Sequence, residues 1–216
     1  MSNNVNNIRK RQSVIAIAQD GSKLKAVELC KQDGTIELLW TKYSEASETD
    51  WGAFALECGL SAKPAVKIQT DDSKTAVAGF DSAGVVFYRI DVPAAAEQEV
   101  AEIIKLQAEA RLPLPTEQME MAWRADQVRD GQVPVTIAAA RTEKLQKFVQ
   151  NVSGFGPERI LLDCEGIVKA WTTLFSGNER DAVIVSITAR NTNVCLAQGG
   201  RLSNAVVLDM GIEDLP

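Results

Sequence analysis

The chain contains two similar openings of hairpin type, one beginning near Ser13 and one near Ala182. Residues 13–18 form a short apolar run that ends in the turn residues 19–22, and apolar residues then alternate with charges over 24–31. Three short apolar runs separated by turn residues begin again at Ala182. Alternation between tight turns predicts antiparallel strands. The repetition predicts two related halves, each of which opens with a β-hairpin.

Strand patterns and helix patterns alternate between these two openings, which is typical of the α/β class. The predicted helices are amphipathic or end at glycine or proline, and they cover residues 50–58, 94–111, 142–154 and 163–175. The predicted strands are residues 13–18, 24–31, 35–43, 65–70, 75–79, 85–92, 119–128, 133–140, 159–162, 182–188, 192–198 and 202–208.

The 216 residues include no histidine, which excludes several kinds of catalysis. Ser-His-Asp and Cys-His nucleophiles and His-ligated zinc all need the imidazole ring, as does most acid-base chemistry near pH 7. Any catalysis would use carboxylates, lysines, cysteines or a bound metal. Asp71, Asp72 and Asp81 are acids in turns, and we expect them to be solvated rather than to bind a metal.

The charge balance disfavours nucleic acid as a partner. The chain has 23 basic and 29 acidic residues, a net charge of -6, whereas affinity for nucleic acid comes largely from neutralising phosphates. Residues 1–12 are polar and contain three basic residues and no acid. We expect them to form a disordered, solvated tail rather than a contact with anionic lipid.

The four cysteines are widely spaced, at positions 30, 58, 164 and 195, and form no Cys-x-x-Cys pair. This spacing predicts reduced thiols packed as small hydrophobic groups in a cytosolic protein. No apolar run approaches the eighteen residues of a membrane span, and no apolar segment follows the N-terminal charges. The sequence therefore predicts a protein that neither crosses a membrane nor is exported.

Five segments, in order, resemble the actin-like pilus assembly protein PilM family and, more distantly, the cytoplasmic domain of the type II secretion protein GspL. They are residues 13–29, 92–123, 135–143, 159–170 and 182–211. The resemblance implies the actin-like ATPase (ribonuclease H-like) α/β fold. The domains that it implies are a disordered tail at 1–12, a first-lobe core at 13–84 completed by about 155–181, an inserted α+β subdomain at 85–154, and the start of a second lobe at 182–216, which we expect to continue beyond Pro216.

Members of this family hold the phosphates of ATP between two hairpin turns, each with an Asp-x-Gly that binds Mg²⁺. The resemblance places Ala18 at the first of these aspartates, and Ser186 and Thr188 at the Asp and Gly positions of the second turn. It therefore implies no catalytic residue and no metal ligand. If nucleotide binds, the residues expected to contact it are Asp20, Gly21, Ser22, Lys25, Thr188, Asn191 and Thr192. Ordinary turn chemistry explains the same residues more simply.

The resemblance implies a non-catalytic scaffold that binds the cytoplasmic tail of an inner-membrane pilus or secretion protein. In relatives the tail lies in a groove beside the inserted subdomain, here about 85–151. Self-association is left open. One alternative is a switch of the same fold that binds or hydrolyses ATP with Mg²⁺. A metal-dependent nuclease of ribonuclease H architecture is disfavoured, because residues 13–18 carry no carboxylate and the chain is acidic.

Overall fold

Eleven strands and four helices lie in the described residues, which are 12–32, 34–45, 51–60, 74–94, 97–175 and 181–214 of a computed structural model. In chain order the strands are β1 (Gln12–Asp20), β2 (Lys23–Gln32), β3 (Thr35–Glu45), β4 (Lys74–Phe80), β5 (Val86–Pro93), β6 (Met119–Ala125), β7 (Gln132–Arg141), β8 (Arg159–Leu162), β9 (Ala182–Ile187), β10 (Thr192–Gln198) and β11 (Arg201–Leu208). The helices are α1 (Trp51–Glu57), α2 (Glu97–Glu109), α3 (Thr142–Val152) and α4 (Asp163–Leu174). The chain divides into unit 1, Met1–Gly79 with Asn151–Ile160, and unit 2, Phe80–Gln150 with Leu161–Pro216.

Unit 1 is built on a five-stranded sheet in the order β3-β2-β1-β4-β8. Strands β1, β2 and β3 form an antiparallel meander, and β4 lies parallel to β1 on its other side. The alternation of β2 is visible in its burial, since Leu24, Ala26, Glu28 and Cys30 are buried and the residues that alternate with them are more exposed. The predicted three-stranded opening is therefore confirmed.

The buried core of unit 1 includes side chains of this sheet and of α1. Ile15 and Ile17 of β1 are completely buried, and Trp51 and Phe54 of α1 are nearly so. The indole ring of Trp51 stacks on the Phe155 ring with their centroids 6.4 Å apart. Burying one large apolar side chain contributes about 1.5–3 kcal/mol, so these few residues account for much of the packing.

Unit 2 contains an antiparallel sheet in the order β5-β7-β6, with α2 packed against it. Ile104 of α2 is buried against a cluster formed by Ile90, Val92, Val135 and Ile137. The helix ends at Glu109, shortly before Pro113, because a proline cannot continue the backbone hydrogen bonds of a helix. The predicted helix 94–111 is confirmed with slightly shorter bounds.

A second sheet of unit 2, in the order β11-β10-β9, packs one of its faces on α4. Cys164 and Val168 of α4 meet Cys195 of β10 and Leu202 of β11, and Phe87 of β5 joins the same cluster. The predicted meander that opens at Ala182 is thus confirmed. Because β5 belongs to the other sheet, this cluster joins the two sheets of unit 2 into one core.

The structure adjusts two sequence predictions, and others lie outside the described residues. Gln12, the last residue of the predicted tail, already belongs to β1, while residues 1–11 and the predicted strand 65–70 lie outside the described residues. Strand β6 ends at Ala125 rather than at residue 128, because the chain turns away at Asp126, whose carboxylate lies within 4.0 Å of three arginines.

The predicted packing of the thiols is confirmed, since Cys30, Cys58, Cys164 and Cys195 are all free and buried. Within the described residues, no helix is both long and apolar enough to cross a membrane.

Candidate functional site

The first candidate turn joins β1 to β2 through a loop of only two residues, Gly21 and Ser22. Asp20 and Lys23 face each other across the last pair of the ladder. Gly21 has φ of 59°, a left-handed conformation in which a glycine is favoured at the first position of a type II′ turn. The tight twist of the hairpin therefore explains Gly21 without a phosphate.

The polar side chains of this turn bond within the meander of β1, β2 and β3. The carboxylate of Asp20 lies 2.5 Å from the ammonium nitrogen of Lys25, and the hydroxyl of Ser22 donates to Glu45 at 3.3 Å. Gln19 donates to the backbone oxygen of Gly21 at 2.9 Å. The structure thus brings Asp20, Ser22 and Lys25 together, but it pairs the carboxylate with a lysine.

Ala18 occupies the position at which the resemblance places a metal-binding aspartate. It faces Lys25 in β2 and Gly79 in β4, and a methyl group added at Gly79 would lie only 2.9 Å from the Ala18 Cβ. Asp20 is two residues farther along the same face of β1, as the period-two geometry of a strand requires. At this turn, Asp20 is therefore the one carboxylate of β1, and Lys25 already neutralises it.

The second candidate turn, 188–191, is held together by its own hydrogen bonds. The backbone N–H of Thr188 donates to the Asn191 oxygen at 2.8 Å, and the Thr188 hydroxyl donates to the same oxygen at 3.0 Å. The backbone N–H of Asn191 returns a bond to the Thr188 hydroxyl at 3.1 Å. The side chain of Thr188 therefore closes the loop, which is a common role of threonine in turns.

Residues 210–214 lie across this second turn and use its remaining polar groups. The hydroxyl of Thr192 donates to the Met210 oxygen at 2.7 Å, and the N–H of Ile212 donates to the Thr188 oxygen at 3.0 Å. Arg190 pairs with Glu213 at 3.4 Å. Thr188, Asn191 and Thr192 thus have a structural role. Ser186 lies within β9, opposite Asn193 of β10.

The residues of the two turns do not fit a magnesium nucleotide. Mg²⁺ prefers carboxylate and water oxygens, and the two positions where the resemblance calls for aspartate hold Ala18 and Ser186. Asp20 is paired with Lys25. In the part of the chain that the structure describes, no three Cys, Asp or Glu residues are grouped as a metal site. The first turn belongs to unit 1 and the second to unit 2.

A groove of about 620 Å³ lies within unit 2, beside the sheet β5-β7-β6. Its walls are mostly apolar, and its two charged side chains, both cationic, come from the junction of β7 and α3. The lining residues are Gly84, Val85, Val86, Phe87, Pro113, Met119, Arg141, Lys144, Ala205, Val206 and Val207. The volume of the groove lies within the range of ligand-binding pockets.

The two cationic side chains of the groove differ in whether another group of the protein already binds them. The ammonium of Lys144 donates to the backbone oxygen of Ala83 and lies 5.5 Å from the centroid of the Phe80 ring, which packs edge-on against Phe148. Arg141 is exposed, and no described residue forms an ion pair with it. Lys144 is therefore anchored, whereas the Arg141 guanidinium is free to meet a ligand.

The floor of the groove continues into the core through Phe87. This ring packs in the cluster that contains Cys164 and Cys195. A hydrogen bond with the Cys195 thiol, together with burial, raises the pKa of the Cys164 thiol. The thiol therefore stays protonated and behaves as a packing group, and the floor beneath the groove is rigid and apolar.

Sequence reasoning placed a partner groove beside the inserted subdomain without naming contact residues. That prediction stays untested, and the groove observed within unit 2 draws on five separate stretches of the chain. Two of them carried a sequence signal, the Leu-Pro-Leu-Pro stretch around Pro113 and the Arg-Thr-Glu stretch that begins at Arg141. No sequence signal marked the contribution of Ala205, Val206 and Val207, because their sequence pattern is that of an ordinary strand.

Solved structures with a similar fold come from pilus and secretion assemblies. A chain of the PilM–PilN type IV pilus biogenesis complex matches 93% of this chain with a TM-score of 0.69 and 22% sequence identity. The cytoplasmic domain of EpsL, an inner-membrane component of the type II secretion system of Vibrio cholerae, matches 91% with a TM-score of 0.60 and 9% identity. The resemblance to both is confirmed, and with it the actin-like α/β fold.

The present chain spans 62% of the matched chain of the PilM–PilN complex and 71% of the EpsL domain. No protein-family profile matches the chain, and no curated protein matches it by sequence. At 22% identity and below, the likeness establishes the fold.

Proposed function

We propose that this protein is a non-catalytic, actin-like scaffold that binds the cytoplasmic tail of an inner-membrane protein in a bacterial type IV pilus or type II secretion-like assembly. It works in the cytoplasm and reaches the inner membrane through that partner. The observation that carries the proposal is the groove within unit 2, which lies beside the sheet β5-β7-β6 and has the size of a peptide site.

The chemistry of the two hairpin turns supports a role without catalysis. Asp20 is paired with Lys25, and Thr188 and Thr192 bond to the backbone of their own turn and of residues 210–214. Such turns contribute to folding and leave no free carboxylate to orient a metal and its water. The groove, by contrast, presents apolar walls and a free guanidinium, which suit recognition of another chain.

Similar structures support the kind of partner. The PilM–PilN complex is a pilus biogenesis assembly, and EpsL is an inner-membrane component of a secretion system. A protein with this fold and a peptide-sized groove fits an assembly in which a cytoplasmic component holds a membrane protein by its tail.

Titration of the full chain with labelled tail peptides tests the proposal. The peptides are the cytoplasmic tails of inner-membrane proteins encoded beside the gene, and fluorescence polarisation reports binding. Val206→Arg introduces a long cationic side chain on the segment of β11 that lines the groove. Val183→Arg is its matched control, because both valines are exposed on the same sheet, at 56% and 67%, and Val183 does not line the groove.

We expect one tail to bind, Val206→Arg to weaken it by at least about tenfold, the effect of one lost anchor contact, and Val183→Arg to leave it unchanged. Absence of binding by every tail, or equal affinity for both variants, would contradict the proposal.

A nucleotide-dependent switch is the second candidate, because Asp20, Gly21, Ser22 and Lys25 do cluster at one hairpin tip. A nucleotide present at 100 times its dissociation constant would raise the free energy of unfolding by about 2.7 kcal/mol. Under the scaffold proposal, millimolar Mg-ATP leaves the melting temperature unchanged. A rise that Asp20→Asn abolishes would favour the switch instead.

A further inference from the structure

The backbone edges of two strands border the groove. Val85, Val86 and Phe87 are consecutive, as are Ala205, Val206 and Val207, and all six line it. Because successive side chains point to opposite faces of a strand, the three consecutive lining residues of β11 mean that the groove runs along the edge of that strand. Val86 and Phe87 add the start of β5, and Val85 lies just before that strand.

Both of these strands have a free edge. In the part of the chain that is described, β5 pairs only with β7, and β11 pairs only with β10. Each strand therefore has backbone N–H and C=O groups along its other side that no strand pairs. On β11 two groups already have partners, since the Ala205 N–H donates to the Asn204 side chain and the Leu202 oxygen accepts from Arg124. An extended peptide satisfies such an edge with its own backbone and places alternate side chains into apolar pockets.

The charges at the groove are of one sign. Arg141 and Lys144 line it, and no aspartate or glutamate does. Both cations lie at the start of α3, where the partial positive charge of the helix N-terminus adds to theirs. A carboxylate is the group of a peptide that complements this end of the groove.

Arg141 is the residue that selects the carboxylate. Its guanidinium offers five donors in a fixed plane and forms no ion pair with a described residue, so a bidentate contact with a carboxylate is open to it. Lys144 is already bonded to the Ala83 oxygen and contributes mainly a fixed positive potential.

We propose that the groove binds an extended peptide with apolar side chains and one acidic residue, whose backbone pairs with a free strand edge and whose carboxylate is held by Arg141. The proposal rests on the proposed function, which it deepens by naming the chemistry of the partner segment. It predicts that a tail bound here carries an Asp or Glu within an apolar stretch.

Selection of peptides on the full chain tests the inference without knowledge of the partner. The probe is a random octapeptide phage library, panned on the wild-type chain and counter-panned on Val206→Arg. A recovered peptide is synthesised with Glu and with Gln at its acidic position, and the affinity of both forms is measured by fluorescence polarisation. The proteins compared are wild type, Arg141→Gln and Arg129→Gln.

We expect the recovered octapeptides to be apolar with one Asp or Glu. The Glu form should bind wild type about tenfold more tightly than the Gln form, as a charge-assisted hydrogen bond implies. The ratio should fall below about twofold on Arg141→Gln. Arg129 is also exposed but lies beyond the far end of β7 from Arg141, so Arg129→Gln should keep the tenfold ratio. Circular dichroism checks that each variant is folded.

The inference is overturned if no octapeptide depends on the groove, if the recovered peptides lack acids, or if the ratio stays tenfold on Arg141→Gln. Its failure and that of the proposed function are distinguishable. Acidic octapeptides that bind while every inner-membrane tail fails would leave the inference and remove the proposed function. A tail that binds independently of Arg141 would support the proposed function and overturn the inference.

Discussion

Gly211 keeps the second hairpin turn in contact with residues 210–214. A Cβ added at this position would collide with the carbonyl group of Ala189 and the backbone nitrogen of Arg190. The collision is with backbone on both sides, so no flexible side chain is available to move aside. The absent side chain of Gly211 thus allows the hydrogen bonds from Ile212 and Glu213 to the turn.

We expect Gly211→Ala to lower the free energy of unfolding by about 1–3 kcal/mol, the cost of overpacking a close contact. Urea denaturation measures the change. Gly166→Ala is the matched control, because Gly166 lies in α4 with nothing within 4 Å of an added Cβ. That substitution should raise stability by about 0.5–1 kcal/mol. Equal effects of the two substitutions would contradict the close contact at Gly211.

The raised pKa of Cys164 predicts a contribution to stability that is lost in alkaline solution. The same hydrogen bond lowers the pKa of Cys195, whose contribution has the opposite sign, so the effect belongs to Cys164 alone and is isolated by substituting it. A thiol in the unfolded chain ionises near pH 8.5, whereas the native Cys164 thiol remains protonated well above that pH. Its contribution is therefore fully present below about pH 8.5 and is lost as the pH rises, at up to about 1.4 kcal/mol per pH unit.

Urea midpoints measured between pH 7.5 and pH 10 check this expectation. Cys164→Ala should flatten the alkaline decline, because it removes the thiol responsible. Cys30→Ala removes another buried thiol and leaves Cys164 in place, so the part of the decline due to Cys164 should persist. The same slope in Cys164→Ala as in wild type would show that another group is responsible.

At the scale of elements, the strands and helices follow local patterns that the sequence displays. Strand β2 alternates buried and exposed positions, and its bounds differ from the predicted 24–31 by one residue at each end. The prolines after α2 and the Asp-Gly turn before β7 mark their elements equally well, since Asp130 and Gly131 both adopt positive φ. Such signals involve residues that are close together in the chain, so they can be recognised from the sequence alone.

The groove has no such local signal. Pro113, Arg141 and Val206 lie on separate elements, and only the packing of β5 and β11 in one core brings their segments together. The turns were easier to find but harder to interpret, because a hairpin turn and a phosphate-binding turn use the same residues. Hydrogen-bond partners, such as Lys25 for Asp20, distinguish the two, and they depend on the neighbouring strand.

One face of the sheet β11-β10-β9 is apolar and exposed. Strand register places its side chains side by side across the three strands. The exposed ones are Val183, Val185, Ile187, Leu196, Val206 and Leu208. A contiguous apolar patch of this kind promotes association.

We expect the double substitution Val185→Thr with Ile187→Thr to reduce ANS fluorescence and concentration-dependent light scattering, without lowering the melting temperature. Ile184→Thr, on the opposite face of β9, is the control, because Ile184 packs against the core cluster and its change should lower the melting temperature. Unaltered ANS fluorescence in the double variant would show that the dye binds elsewhere.

At the scale of the whole molecule, the potential ligand contacts divide into two kinds. The residues of the two turns belong to separate units, and their polar groups form ion pairs and hydrogen bonds within the protein. The groove lies entirely within unit 2, with apolar walls and one free guanidinium. The actin-like fold is shared with longer chains, since this one spans 62% of its match in the PilM–PilN complex. The central claim is that the groove, rather than the turns, is the ligand site.

Amide hydrogen exchange of the full chain, followed by mass spectrometry, tests this claim most directly. The chain is measured alone, with a saturating tail or selected peptide, and with millimolar Mg-ATP. The account predicts slower exchange at 85–87 and 205–207 with peptide, and no change at 20–25 or 188–192 with Mg-ATP. Protection of the two turns by Mg-ATP, with none in the groove by any peptide, would contradict it.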